Sequence, residues 1–64
     1  MLESQALTVK ELGFIEECIK SEVLCATKAQ AFEREVHDGE LREFCHECVQ
    51  SANRHIEELL ALLS

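Results

Sequence analysis

The sequence contains no proline, tryptophan or tyrosine, and its 64 residues include two glycines and three phenylalanines. Proline and glycine interrupt helices and aromatic residues are enriched in strands, so their scarcity disfavours a sheet and favours an all-helical unit. A chain this short encloses little apolar surface by itself, and self-association is a common remedy. We therefore expect one small helical domain, residues 1–64, that associates with a second copy.

Basic residues are also scarce, since Lys and Arg number 6 against 13 Asp and Glu, for a formal net charge of -7. DNA, RNA and anionic membrane surfaces attract basic proteins, so we exclude them as main partners. No charged-then-apolar leader opens the sequence, and no apolar run approaches the ~20 residues that cross a bilayer. We expect a cytoplasmic protein whose four cysteines are thiols rather than disulfides.

The first helix has a clear start signal in Thr8 followed three residues later by Glu11, which is the pattern of a capping box. Residues 1–7 precede this signal as an arm. After the cap, Gly13 is the one residue that weakens the helical period before about residue 36, and the spacing predicts a helix over about 9–36.

The strongest interruption is the segment 37–39, where Gly39 can take a left-handed conformation and Asp38 can cap the helix that follows. The pattern predicts a tight turn at 37–39 and a second helix over about 40–63. Because a short connection forces successive helices to run antiparallel, we expect a helical hairpin.

Each helix carries an apolar stripe at helical spacing. The first stripe comprises Ile15, Cys18, Ile19, Cys25, Ala26, Ala29 and Phe32, and the second comprises Leu41, Cys45, Cys48, Ala52, Ile56, Leu59 and Leu63. With Leu60 and Leu62 added, the end of the chain is more apolar than one partner helix can cover. We expect two hairpins to form a homodimeric four-helix bundle. The alternative is a monomeric hairpin that is stabilised within a larger complex.

Glu22 lies near the centre of the first stripe, where burying a lone carboxylate costs several kcal/mol. In an antiparallel hairpin that turns near Asp38 and Gly39, two residues whose numbers add to about 77 lie at the same level along the helix axes. By this level rule, His55 faces Glu22. Two-fold symmetry would bring together two such pairs, whose oxygen and nitrogen ligands suit zinc, iron or manganese. The alternative is a buried Glu-His ion pair or hydrogen bond without metal.

The four cysteines offer a different ligand set, because each lies on one of the two stripes and is expected to point inward. Cys25 lies opposite Ala52 and one turn from Cys48, and thiolates in a helical bundle favour copper(I) or zinc. Cys18 and Cys45 lie too far along the axis to complete a tetrahedral site in one hairpin. Free cysteines also act simply as small buried hydrophobes, and that interpretation stays open.

The layout resembles the ferritin-like superfamily, and most closely the short bacterial spore coat proteins of the coat F family. The matching segments are 7–12 (LTVKEL), 21–22 (SE), 38–42 (DGELR) and 54–60 (RHIEELL). Ferritin-like proteins bind two irons with a Glu on one helix and a Glu-x-x-His on the next, so the resemblance implies that Glu22 and His55 correspond to that Glu and that His. Ala52 occupies the position of the bridging Glu, which leaves a ferroxidase-type di-iron centre incomplete.

A structural or protein-interaction role is the function that these features favour, such as a cytoplasmic or spore-associated coat component that contacts other coat-like proteins. No Ser-His-Asp set or glycine-rich phosphate loop is present, so we do not expect an enzyme. The alternative is a metal-binding protein that holds iron or zinc through Glu22 and His55 of both chains, with Cys25 and Cys48 as assisting or replacing ligands. In a further version of this alternative, the protein stores or senses copper or zinc through its cysteines.

Overall fold

A computed structural model describes residues 7–64 as two helices, α1 (Val9–Glu35) and α2 (Gly39–Ala61), which pack against each other as a hairpin. The predicted all-helical hairpin is confirmed, and the predicted ends of both helices lie within two residues of those observed. The predicted arm of residues 1–7 lies outside the described residues except for Leu7. Neither helix in the described part of the chain has an apolar stretch that could cross a membrane.

The start of α1 is the predicted capping box. The Thr8 hydroxyl oxygen accepts a hydrogen bond from the Glu11 N–H at 3.1 Å, and the Glu11 carboxylate accepts one from the Thr8 N–H at 2.9 Å. Both donors would otherwise lack a partner in the first turn. The helix ends where Val36 turns to an extended conformation, with φ -80° and ψ 144°.

The link between the helices is held by two side-chain hydrogen bonds. The Asp38 carboxylate accepts from the Leu41 N–H at 2.9 Å, which confirms it as the N-cap of α2, and the Arg42 guanidinium donates to the Val36 carbonyl at 3.0 Å. The left-handed conformation predicted for Gly39 is wrong, because Gly39 has a negative φ and is the first residue of α2. Extended backbone at Val36 and Asp38 reverses the chain instead.

The core of the hairpin is small. Among residues 7–64, the buried apolar side chains are Ile15, Cys45, Val49 and Ala52. The Cα trace spans 47 × 19 × 11 Å, and its shortest dimension holds one layer of helices, because a second layer would add about 8–10 Å between helix axes. Since most domains bury their apolar stripes between two layers, a single layer leaves most residues of each stripe only half-buried.

Candidate functional site

The predicted pairing of Glu22 with His55 is present at the middle of the hairpin. Nδ1 of His55 and Oε2 of Glu22 are 3.2 Å apart. The pair is not enclosed, because the side chains of Glu22 and His55 are 31% and 50% exposed. The predicted burial of this layer is therefore wrong for the single hairpin, in which the edges of the helix interface open to solvent.

A second Glu-His pair, which was not predicted, joins the helices nearer the link. Nδ1 of His46 and Oε2 of Glu33 are 3.2 Å apart. Their residue numbers add to 79, close to the sum of 77 that placed Glu22 opposite His55. The same rule, applied without the stripes, would have identified this pair. His46 lies off the second apolar stripe, which is why the pattern missed it. His46 and His55 are nine residues, or about two and a half turns, apart, so the two histidines lie on opposite edges of the inner side of α2. Glu22 and Glu33 are eleven residues, or about three turns, apart and lie on the same side of α1.

The four cysteines are free thiols with unequal burial: Cys45 is buried, Cys18 and Cys48 are half-buried, and Cys25 is exposed. The prediction that all four point inward is wrong for Cys25. It lies at the rim of its stripe, where the single partner helix does not reach. The other exposed members of the stripes are Phe32, which lies seven residues from Cys25 at the same rim, and Leu41, which lies in the first turn of α2 beside the link.

The predicted metal ligands come together only in part. Glu22 and His55 are in contact. Within residues 7–64, no three side chains of His, Cys, Asp or Glu lie together as ligands for a metal ion, so neither Cys25 nor Cys48 completes a set with that pair. One hairpin thus supplies two donors at this position, which is fewer than the three protein ligands of a typical catalytic zinc site.

One side of the hairpin exposes large apolar side chains. Phe14, Phe32 and Phe44 are 69%, 59% and 62% exposed. Phe14 and Phe32 are 18 residues, or about five turns, apart and point in the same direction, and Phe44 and Leu62 have the same spacing on α2. We call this side the apolar face, and it comprises Phe14, Cys18, Cys25 and Phe32 of α1 and Phe44, Cys48, His55 and Leu62 of α2.

Two depressions lie between the helices on this face. The first, near the link, has a volume of about 240 Å³ and is lined by Phe32, Val36, Leu41, Phe44 and Cys45. The second lies toward the open end, which is the end opposite the link, and we call it the groove. It has a volume of about 380 Å³ and is lined by Cys18, Glu22, His55, Glu58, Leu59 and Leu62. The Glu22–His55 pair therefore opens onto the apolar face.

Comparison with protein families, with characterised proteins and with solved structures found no match. The resemblance to the coat F proteins accordingly stays a prediction. The function of this chain has to be inferred from the chemistry of the apolar face and the Glu-His pair within it.

Proposed function

We propose that this protein is a structural or protein-interaction module that acts as a homodimer, with the apolar faces of two hairpins packed into a four-helix bundle. The observation that carries the proposal is the exposure of Phe14, Phe32 and Phe44 on one side of a single helix layer. Complete burial of a phenylalanine side chain contributes about 1.5–3 kcal/mol. A two-fold dimer buries all three residues of both copies at once.

A second copy suits this face better than an unrelated partner for two reasons. A two-fold interface needs one patch that is complementary to itself, and the apolar face carries both protruding phenylalanines and a groove. The core of a chain below about 70–80 residues also rarely contributes more than about 3–5 kcal/mol of stability, and staples or oligomerisation commonly add to it. The four free thiols supply no disulfide staple.

Within this proposal the protein is a coat-like component, cytoplasmic or spore-associated, and the outer surface of its dimer contacts other coat-like proteins. The resemblance carried by segments 38–42 and 54–60 supports this part. We do not propose catalysis, because Ala52 stands where a ferroxidase centre needs a carboxylate. Ala52 is only 3% exposed and lies against α1, which supports a packing role for that position.

Paired charge substitutions test the dimer. Phe44→Glu places a carboxylate on the apolar face, whereas Leu24→Glu makes the same change at a residue of similar exposure, 56%, that lies about 100° around α1 from Cys25. In size-exclusion chromatography with light scattering, the unaltered chain and the Leu24→Glu variant should have twice the chain mass of 7.3 kDa. The Phe44→Glu variant should be monomeric at the same concentration. Equal dimerisation of both variants would refute the proposed interface.

A second proposal is metal binding through Glu22 and His55 of both chains, and one specific observation favours it. The contact with Glu22 uses Nδ1 of His55, which leaves Nε2 for a metal. A carboxylate commonly orients a metal-binding histidine in this way, so Glu22 would hold the imidazole of its own hairpin and could bind the ion itself only from the other copy. Iron or zinc suits these donors, and copper would suit the thiols of Cys25 and Cys48.

Elemental analysis and thermal melting of the purified protein test metal binding. If the mixed site exists, His55→Ala should lose the metal and Cys48→Ser should keep it, and the reverse result would indicate thiolate ligation. A negligible metal content, together with a melting curve that iron, zinc and copper leave unchanged, would rule out the second proposal without affecting the dimer.

A further inference from the structure

We infer that the two hairpins of the dimer pack with their links at opposite ends, so that Phe32 and Phe44 of one copy enter the groove of the other. The inference rests on the proposed dimer and adds the orientation and register of the second copy. It follows from the positions of the exposed phenylalanines and of the groove along the apolar face.

The protruding side chains and the larger recess are unevenly distributed along the hairpin. Phe32 and Phe44 both lie near the link, where they flank the smaller depression, and both are more than half exposed. The groove lies toward the open end, between Cys18 on α1 and Leu59 and Leu62 on α2. Phe14, the third exposed phenylalanine, lies one turn beyond Cys18, at the outer edge of the groove. Each copy therefore has two of its three protruding rings near the link and its larger recess toward the open end.

Two-fold symmetry allows two face-to-face arrangements of such hairpins. With both links at the same end, Phe32 and Phe44 of the two copies crowd one end of the bundle, and the two grooves face each other. Facing grooves of about 380 Å³ each would leave a void in a core that normally packs at a density of about 0.74. With the links at opposite ends, each pair of phenylalanines meets a groove and fills it.

The spacing along α1 sets the register of this arrangement. Cys18, Cys25 and Phe32 follow one another at intervals of seven residues, which keeps them in line along one helix. A two-fold axis at Cys25 places Phe32 opposite the partner's Cys18 and brings the two copies of Cys25 together. Large side chains then face small ones, as interdigitated cores require.

The same axis gives a consistent match on α2. Ala52 shares the level of Cys25, and Phe44 lies eight residues from Ala52 toward the link. It therefore faces the stretch between the partner's Leu59 and the partner's Leu62, which are walls of the groove. Phe14, one turn beyond Cys18, meets the partner's chain at the level of Val36.

This register separates the two copies of the Glu22–His55 pair along the bundle. Glu22 is three residues from the axis, so its two copies lie six residues apart, or about 9 Å at the 1.5 Å rise of a helix. Because the offset separates the backbones, both Glu22 side chains would have to extend toward each other along the helices for one ion to bind both carboxylates at about 2.0–2.2 Å. The inferred orientation therefore disfavours a single ion shared by all four residues.

Photo-crosslinking from position 44 tests the orientation in the full chain. The substitution Phe44→p-benzoylphenylalanine keeps an aromatic ring at this position, and mixing unlabelled with ¹⁵N-labelled chains identifies adducts between copies by mass. After trypsin digestion, we expect the adduct on the partner's peptide 55–64, which contains the groove leucines. The matched control, Leu24→p-benzoylphenylalanine, should give no adduct between copies.

Each other outcome overturns a defined part of the account. An adduct on the partner's peptide 29–34, which contains Phe32, would mean that the links lie at the same end, so the orientation would be wrong and the dimer right. A dimeric sample without an adduct between copies would remove Phe44 from the interface and refute the inference. A monomeric sample of the unaltered chain would refute the proposed dimer first.

A short bismaleimide provides a second readout that leaves the native aromatic residues in place. The inferred register predicts a covalent dimer joined through Cys25 of both copies, which Cys25→Ser abolishes and Cys18→Ser retains. A dimer joined through Cys25 and the partner's Cys48 would instead place α1 over the partner's α2, and that result would overturn the inferred orientation.

Discussion

Glu22 and His55 matter at the scale of single residues because their environment changes when the apolar face is covered. A solvent-exposed ion pair contributes about 0.2–1 kcal/mol, whereas a pair removed from water is coupled more strongly and is costly to break. In the single hairpin the pair is partly exposed. Packing of a second copy on the apolar face would exclude water from it.

A comparison of two double-mutant cycles measures this effect. Alanine substitution of Glu22 and His55, singly and together, should give a larger coupling free energy than the same cycle at Glu33 and His46. The second pair has the same 3.2 Å separation, but its histidine lies on the edge of α2 away from the apolar face, so its coupling should stay within about 0.2–1 kcal/mol. Urea denaturation at one protein concentration provides the values. Equal couplings would show that no partner covers Glu22 and His55.

Gly13 offers a simple gain in stability. A Cβ atom added at Gly13 would meet nothing within 4 Å, and alanine is favoured over glycine in a helix interior by about 0.5–1 kcal/mol. Gly13→Ala should therefore raise the melting temperature at fixed protein concentration. Gly39→Ala, in equally open space at the first position of α2, should raise it less because that position precedes the helix interior. A lower melting temperature for Gly13→Ala would contradict this account.

The sequence predicts contacts between residues better than it predicts their burial. The level rule located Glu22 opposite His55 because the rise per residue is the same in both helices. It did not reveal that Cys25 is exposed, because that depends on how far one neighbouring helix reaches around α1. A difference of a few tens of degrees around the helix decides this, and helical periodicity from sequence is not that precise.

At the scale of the helices, small side chains allow close approach. Ala26 and Ala29 of α1 are half-buried, and Ala52 of α2 is buried at the same central levels of the hairpin. Tight packing there brings the two helices together and allows the Glu22–His55 contact one turn away. The middle of the hairpin should consequently be the part least tolerant of larger residues.

Ala52→Leu tests this close packing. The added side chain has no space against α1 and should lower the free energy of unfolding by about 1–3 kcal/mol, the usual effect of overpacking. Asn53→Leu, one residue further along and exposed, is the matched control and should change stability little. Both effects can be measured by urea denaturation. A similar loss in both variants would contradict the proposed packing.

Helix ends are the feature that sequence predicts most directly, because the caps are local. Thr8 and Glu11 form the expected capping box, and Asp38 caps α2 as predicted. The expectation for Gly39 failed because glycine permits a left-handed conformation without requiring one. The link instead reverses through extended residues, which the Arg42 hydrogen bond to Val36 helps to hold.

At the scale of the whole molecule, the dominant feature is that a single layer of helices cannot enclose its own apolar residues. The length of the chain predicts that its core is small, and the exposed phenylalanines show which side of the hairpin is left uncovered. The identity of the partner could not be derived from periodicity, because an apolar face suits any complementary surface. The combination of protruding phenylalanines with a groove on one face is what favours a second copy.

A dimer whose folding is coupled to association should melt at a higher temperature when the protein is more concentrated, because mass action stabilises the associated state. We expect the melting temperature of the unaltered chain to rise steadily across a dilution series followed by circular dichroism. Phe44→Glu should lose this dependence, while Leu24→Glu should retain it. A melting temperature independent of concentration in all three proteins would indicate a self-sufficient monomer or an associated state that forms after folding.

Sedimentation equilibrium of the unaltered chain at micromolar concentration tests the central claim most directly. The account predicts a single species of twice the 7.3 kDa chain mass, with helical circular dichroism in the same sample. A helical species that sediments at the mass of one chain would contradict it, because the exposed phenylalanines would then need no second copy.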